Sequence, residues 1–229
     1  MDKELKEIAV NYKLDNLYKN NLFSVKAICE HLGIWNNYDK DQKFILENLT
    51  KRDSVLNKNF EFKGKYNKNL TYGEVTRNGV EQIIEKIYKH KRNILPSDVL
   101  VDIGSGCGKF LIHSSFRMDI KTYVGVDIIE PRVKYAKHIL EQFSPLDDDK
   151  KIFFINKDIK DFDLSIAKIA FINNVSFSSK LNEEIYEKLP SGCHFITYKP
   201  FSKCKYLKES FTVDVSWMDR PIAFHYYIK

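Results

Sequence analysis

The sequence of 229 residues is short of the features that mark several protein classes. Cysteine occurs only at Cys29, Cys107, Cys193 and Cys204, and no two of these form a C-x-x-C pair. Neither a disulfide framework nor a structural zinc site is expected, and a reducing compartment fits. The six histidines are equally scattered, so no metal site is expected. No apolar run approaches the ~20 residues of a membrane span, which argues against a membrane partner. The opening Met1-Asp2-Lys3-Glu4-Leu5-Lys6-Glu7 lacks the apolar core of a secretory signal, and an intracellular protein is expected. No segment repeats. What remains is ordinary for a globular chain. Apolar residues make up 43%, ample for a core, and the length suits one large domain or a domain with an extension.

Glycine is also scarce, at nine residues, yet three of them fall at alternate positions within Leu100-Val101-Asp102-Ile103-Gly104-Ser105-Gly106-Cys107-Gly108-Lys109-Phe110. The apolar run reads as a buried parallel strand. The glycines read as the turn that leaves its carboxyl end and opens a helix, letting a ligand approach where any Cβ would block it. A dinucleotide fold wants G-x-G-x-x-G. Here the third glycine comes one residue early, and an acid precedes the first by two. That form resembles the S-adenosylmethionine-dependent methyltransferases, with a ligand-free glycine turn as the plain alternative. Thr122-Tyr123-Val124-Gly125-Val126-Asp127 reads as the next strand. Asp127 ends it about 20 residues past the glycines, where an acid accepts hydrogen bonds from a ribose diol.

Before these strands the chain is basic and helical. Up to Leu95 it carries 18 basic against 13 acidic residues, and beyond Leu95 19 against 18, for a net +6. Such asymmetry points to a polyanionic partner, or else to a solvated lysine-rich surface. Helical spacing is read at 2–20, at 23–32 between a Ser24 cap and Gly33, and at 39–56. Residues 57–71 are polar and rich in turn formers, a linker whose Lys58, Lys63, Lys65 and Lys68 are candidate phosphate contacts. A further helix through Val80, Ile83, Ile84 and Ile87 ends in Lys89-His90-Lys91-Arg92. These charges either join that basic surface or simply suit the helix dipole.

Beyond Asp127, Glu130-Pro131 opens a helix with Val133, Ala136, Ile139, Leu140 and Phe143 on one face. Lys151–Asn156 reads as the third strand. Asp158 follows, placed to accept from an adenine amino group with Ile159 packed on the ring. Ile169–Asn174 is the fourth strand, ending in the same crevice. A helix near 180–189, a strand at Cys193–Tyr198, and two antiparallel strands at Phe211–Val215 and Ala223–Ile228 complete the chain. Alternating β and α with a terminal hairpin matches the seven-stranded, mostly parallel, Rossmann-like sheet of class I methyltransferases. The expected fold is therefore α/β, with a helical N-terminal region and basic linker over 1–70 and the catalytic domain over 71–229.

Five segments together resemble the non-SET histone lysine methyltransferases of the disruptor-of-telomeric-silencing type. They are Tyr72-Gly73-Glu74, Val101–Gly106, Phe171-Ile172-Asn173-Asn174 with Phe177, Lys199-Pro200-Phe201, and Val215-Ser216-Trp217 with Pro221. The resemblance covers about residues 70–229 and implies S-adenosylmethionine as cofactor. It implies that Asp102, Gly104, Gly106, Gly108, Asp127, Asp158 and Ile159 hold that cofactor, with Tyr72 and Glu74 closing over its methionine end. It places Asn173 beside the sulfonium, and Phe177, Trp217 and Phe224, with Tyr72, around a lysine channel. The family usually has threonine where this chain has Val75, and commonly tyrosine where it has Phe224. The chain ends at Lys229 without the basic tail many members use to grip nucleosomes.

The resemblance implies a monomeric enzyme that methylates a core lysine of histone H3 in nucleosomes. It would work in the nucleus if the host is eukaryotic or the protein viral. Two other readings stay open: the same chemistry on a non-histone protein lysine or a small amine, and a methyltransferase-fold protein that binds without catalysis. Enzymes acting on the exocyclic amines of nucleic acids carry (Asp/Asn)-Pro-Pro-(Tyr/Phe) after the fourth strand. Asn173-Asn174-Val175-Ser176 stands there instead.

Overall fold

A computed structural model describes residues 73–142, 149–201, 204 and 206–229. The three helices and the linker expected before residue 72, together with Tyr72 and Phe143, lie outside these described residues. The first described helix, α1 (Arg77–His90), starts at Thr76, whose hydroxyl accepts from the Gly79 amide. Five strands then alternate with helices: β1 (Val99–Ile103), α2 (Lys109–Arg117), β2 (Thr122–Asp127), α3 (Glu130–Gln142), β3 (Lys151–Asn156), β4 (Ile169–Ile172), α4 (Ser179–Lys188) and β5 (His194–Thr197). Short 3-10 turns at Ile159–Asp161 and Leu164–Ile166 link β3 to β4. The antiparallel strands β6 (Leu207–Val213) and β7 (Ile222–Ile228) close the chain.

One seven-stranded sheet results, in the order β3-β2-β1-β4-β5-β7-β6. The first five strands are parallel, and β7 runs antiparallel to both neighbours. The sheet has two buried faces because alternate residues of each strand point opposite ways. Leu100, Tyr123, Phe154 and Phe171 face α1, α2 and α3, while Val101, Val124, Ala170 and Phe195 face α4 and the 3-10 turns. β1 lies between β2 and β4, so the chain turns opposite ways from β1 and opens a crevice at its carboxyl end.

Two sequence expectations shift. β6 begins at Leu207, not Phe211, and ends at Val213; Val215 makes only an isolated bridge with Val75. The extra residues include Lys208, Glu209 and Ser210 on an edge strand, paired on one side alone. Nothing apolar marked them because an edge strand need not bury both faces. β4 stops at Ile172, two residues early, so that Asn173 lines the crevice while Asn174 is buried behind it.

Polar ties hold α1 in place. Lys86, Lys89 and His90 of α1 converge on Glu209 of β6, at 2.6, 2.8 and 2.8 Å. Those three hydrogen bonds push the Glu209 carboxyl down to about 2. Glu81 of α1 accepts from Arg117 of α2 at 2.9 Å and lies 2.7 Å from the buried His113 ring.

Candidate functional site

The crevice at the carboxyl ends of β1, β2 and β4 is a cleft of about 370 Å³. Its floor is the glycine turn. The Gly104 and Ser105 amides both donate to the Val126 carbonyl, at 2.8 and 3.1 Å, fastening the turn to β2. Gly108 stands at the entry to α2 with φ of 76°. A Cβ there would lie 2.2 Å from the Phe154 ring, so glycine is required twice over, by conformation and by space.

Asp127 has a structural duty the sequence did not reveal. One carboxyl oxygen accepts from the Gly106 amide at 2.9 Å and the other from the Ile129 amide at 2.8 Å. The side chain thus locks the glycine turn to the start of α3 while still facing the cleft. Asp158 behaves similarly: it lines the cleft and caps the Ile159–Asp161 turn by accepting from the Lys160 amide at 3.0 Å. Ile159, 7% exposed, lies beside it on the cleft wall.

Asp102, at the end of β1, is 2% exposed. Burial, and secondarily the charge of Asp127, push its carboxyl well above the ordinary 3.8. Its Oδ1 has no hydrogen-bond partner, and neither do the Ser105 Oγ and the Asn173 Oδ1, all in the wall of the cleft. Buried polar atoms without partners are costly. Three of them around one cleft are what a ligand bearing cationic and hydroxyl groups would satisfy. These oxygen acceptors therefore fit a cofactor with a sulfonium, an ammonium and a ribose.

Two of the expected residues meet partners across the cleft mouth. Glu74 and Lys109, 35 residues apart, form a buried ion pair at 3.0 Å. The Asn173 side-chain amide donates to the Gly73 carbonyl at 3.0 Å, holding the 73–75 segment over the cleft. The Phe177 ring covers Gly104, where a Cβ would sit 3.2 Å from its Cζ. Trp217 packs on the backbone of Gly73, where a Cβ would lie 2.3 Å from the indole.

Two of the residues expected around the lysine channel lie apart from the cleft. Phe224 is fully buried and does not line the cleft. It stacks behind Phe171, with ring centroids 6.1 Å apart, and the ring that reaches the cleft is Phe171. Trp217 is likewise absent from the lining and reaches it through Gly73. Sequence reading missed Lys109 and Arg132, which also line the cleft. Lys109 stood in plain view as the first helical residue after the glycines; Arg132 had no such signal.

The basic candidates are divided. Lys58, Lys63, Lys65 and Lys68 lie outside the described residues. Lys89 is held by Glu209 and Lys91 by Asp98 at 3.0 Å, so these two serve intramolecular pairs, whereas Arg92 is exposed.

Strand order, glycine turn and cleft together define the class I S-adenosylmethionine-dependent methyltransferase fold. The family model described as histone methylation protein DOT1 matches residues 58–223, and the chain belongs to that family. Among curated proteins it is similar to the histone-lysine N-methyltransferase, H3 lysine-79 specific, of Caenorhabditis elegans, with 27% identity over 56% of this chain and 15% of the relative. The protein of the same description from Eremothecium gossypii is 24% identical over 57% of this chain and 24% of the relative. A carboxy-S-adenosyl-L-methionine synthase of Nautilia profundicola is 30% identical over 46% of each. The chain thus spans less than half the length of these relatives. Among solved structures, an RNA methyltransferase from Salinibacter ruber in complex with S-adenosyl-L-homocysteine covers 65% of this chain and 90% of its own, at 19% identity and TM-score 0.49.

Proposed function

We propose that this chain is a protein-lysine N-methyltransferase that uses S-adenosylmethionine to modify a core lysine of histone H3 in nucleosomes. One observation carries the proposal. In a chain of the DOT1 family, Asp102, Asp127, Asp158 and Asn173 come from the ends of four successive strands onto one cleft. When bound, the cofactor supplies a methyl group on a positively charged sulfonium. Asp102 balances that positive charge, Asp127 takes the ribose, and Asp158 with Ile159 takes the adenine. Gly104, Gly106 and Gly108 let the backbone close on the ligand. Tyr72 and Glu74 close over the methionine end, with Lys109 as the cationic counterpart for its carboxylate.

Methyl transfer to an amine is an in-line displacement, so positioning dominates. The incoming lysine must be neutral, although its ordinary pKa is about 10.4. Aromatic walls disfavour its ammonium by desolvation, and the sulfonium charge acts the same way. Phe177 lines that path, while Trp217 and Phe224 support it from behind through Gly73 and Phe171. No general base is needed, which suits a site of asparagine and rings. Asn173 orients the amine at the cleft mouth. The basic residues before the catalytic domain, Lys58, Lys63, Lys65 and Lys68, would supply contacts to nucleosomal DNA, with the protein acting as a nuclear monomer.

The test is incubation with labelled cofactor and separate pools of nucleosomes, free histones, other proteins, DNA and RNA. Label on histone H3, greater in nucleosomes than in free histone, is expected. Label confined to another protein would move the substrate and keep the chemistry; no label in any pool, despite cofactor binding, would leave a binding protein. Asn173→Ala should slow transfer by about 100-fold, a misplacement cost, with cofactor affinity within about threefold. Near-parental turnover would reduce Asn173 to a tie for Gly73.

A further inference from the structure

Two signatures far apart in the sequence, Asn173-Asn174-x-x-Phe177 and Lys199-Pro200-Phe201, are joined in the structure by one lysine. The segment 173–178 links β4 to α4 and forms one wall of the cleft through Asn173, Val175, Ser176 and Phe177. On its far side stands Lys199. Its ammonium donates to the Val175 carbonyl at 2.5 Å and to the Phe177 carbonyl at 3.2 Å. The backbone of Lys199 is held in turn by Asn174, which is fully buried. The Asn174 Oδ1 accepts from the Lys199 amide at 2.6 Å, and its Nδ2 donates to the Lys199 carbonyl at 3.3 Å and to Asn182 of α4 at 3.0 Å. Thr197 Oγ1 donates to the same Lys199 carbonyl at 2.9 Å.

We infer that Lys199 is a positioning residue, a latch behind the cleft wall that fixes where Asn173 and Phe177 stand. The inference rests on the proposed use of this cleft for methyl transfer. Lys199 does not itself line the cleft, and it acts on the cleft only through the loop it holds. A loop of six residues has many conformations, and fixing each residue costs entropy. Two carbonyls turned outward to one ammonium select a single path. That path presents the Asn173 side chain inward and lays the Phe177 ring over Gly104. Cation-to-carbonyl hydrogen bonds are stronger than neutral ones, and here they are partly desolvated, which pushes the Lys199 ammonium below its ordinary 10.5. Asn174 sets the base of the latch by presenting Lys199 in register with the loop.

The experiment compares the parent with Lys199→Met and Lys199→Arg. Because Lys199 is only half-buried, Lys199→Met should fold. Three readouts are taken: amide hydrogen exchange over 173–178, cofactor affinity by calorimetry, and single-turnover methyl transfer. Lys199→Met should speed exchange across 173–178 by about tenfold or more while β1, β2 and β5 keep parental protection, a local opening. Cofactor affinity should stay within about threefold, and transfer should fall by about 10–100-fold in kcat with KM little changed. Lys199→Arg, whose fork can reach both carbonyls, should restore most of both losses. Parental exchange over 173–178 in Lys199→Met would overturn the latch. So would faster exchange spread over the whole sheet, or a loss that Lys199→Arg does not repair, since either marks a general fold contribution. If the parent transfers no methyl group to any pool, the proposed activity fails, and exchange with its rescue still decides the latch.

Discussion

Asp102 is the residue where stability and ligand binding oppose each other. Burial raises its carboxyl pKa in the folded chain, with the Asp127 charge adding to the effect. A carboxyl raised on folding contributes stability in full below its unfolded value, and that stability is lost as pH rises through the folded value. The ligand-free protein should therefore weaken from the ordinary 3.8 upward to the elevated value. Asp102→Asn should melt higher than the parent at neutral pH, by about 2–4 °C for each kcal/mol relieved, and should flatten the pH dependence of melting. A cationic ligand beside Asp102 favours its ionised form, so cofactor binding should release a proton and tighten with rising pH in the parent only. Identical pH profiles for parent and Asp102→Asn would dismiss this account. Asp127, by contrast, is legible in the sequence from its place at a strand end, but its tie to the Gly106 and Ile129 amides is not. Its removal would loosen the glycine turn as well as any ribose contact. Asp127→Asn, which keeps an acceptor, is the cleaner substitution for affinity work.

Among the elements, the glycine turn is the most constrained. The sequence shows three glycines; the structure shows which demand each answers. At Gly108 a left-handed φ coincides with a Phe154 ring and an Ala136 methyl, so two neighbouring elements close on one missing Cβ. Gly108→Ala should cost about 3 kcal/mol or more, combining left-handed strain with overpacking. Denaturant titration checks this, and a loss below about 1 kcal/mol would mean that α3 and β3 yield easily there. The inner parallel strands were readable because burial on both faces makes them mostly apolar runs, as in Val99–Ile103 and Ile169–Ile172. β6 was read four residues short because its first half is exposed at the sheet edge, where polarity carries no penalty. α1 was readable from its apolar stripe, yet its docking on β6 through Glu209 was not, since charges on a helix face look alike whether paired or solvated.

At the scale of the whole molecule, a formal charge of +6 overstates the cations open to a polyanion. Lys89 and Lys91 hold carboxylates, and Lys150, Lys188, Lys199 and Lys229 donate to backbone carbonyls. Of the candidate phosphate contacts, Lys58, Lys63, Lys65 and Lys68 remain as proposals, with Arg92 exposed. If these four lysines each neutralise a phosphate, they contribute about −3.6 to the logarithmic salt slope of nucleosome binding. Their joint replacement by alanine should flatten the slope by about that amount and weaken binding without regard to DNA sequence. Cofactor affinity should not move. A salt dependence identical to the parent's would make the segment a solvated linker.

By itself the sequence determined the succession of β and α, the glycine turn, the acids at the strand ends and the motifs that mark the DOT1 family. Each of these is local, written in periodicity, in residues needed for one backbone geometry, or in short runs of side chains. Only the tertiary structure decided which distant residues meet. Asn173 holds Gly73, Glu74 meets Lys109, and Lys199 clasps the Asn174–Phe177 loop. It also decided that Phe171, not Phe224, reaches the cleft, because β7 lies two strands away from β4 and sets Phe224 behind the Phe171 ring. Hydrophobic pattern tells a strand that it must be covered on both faces, but strand order, which no single segment encodes, chooses what covers it.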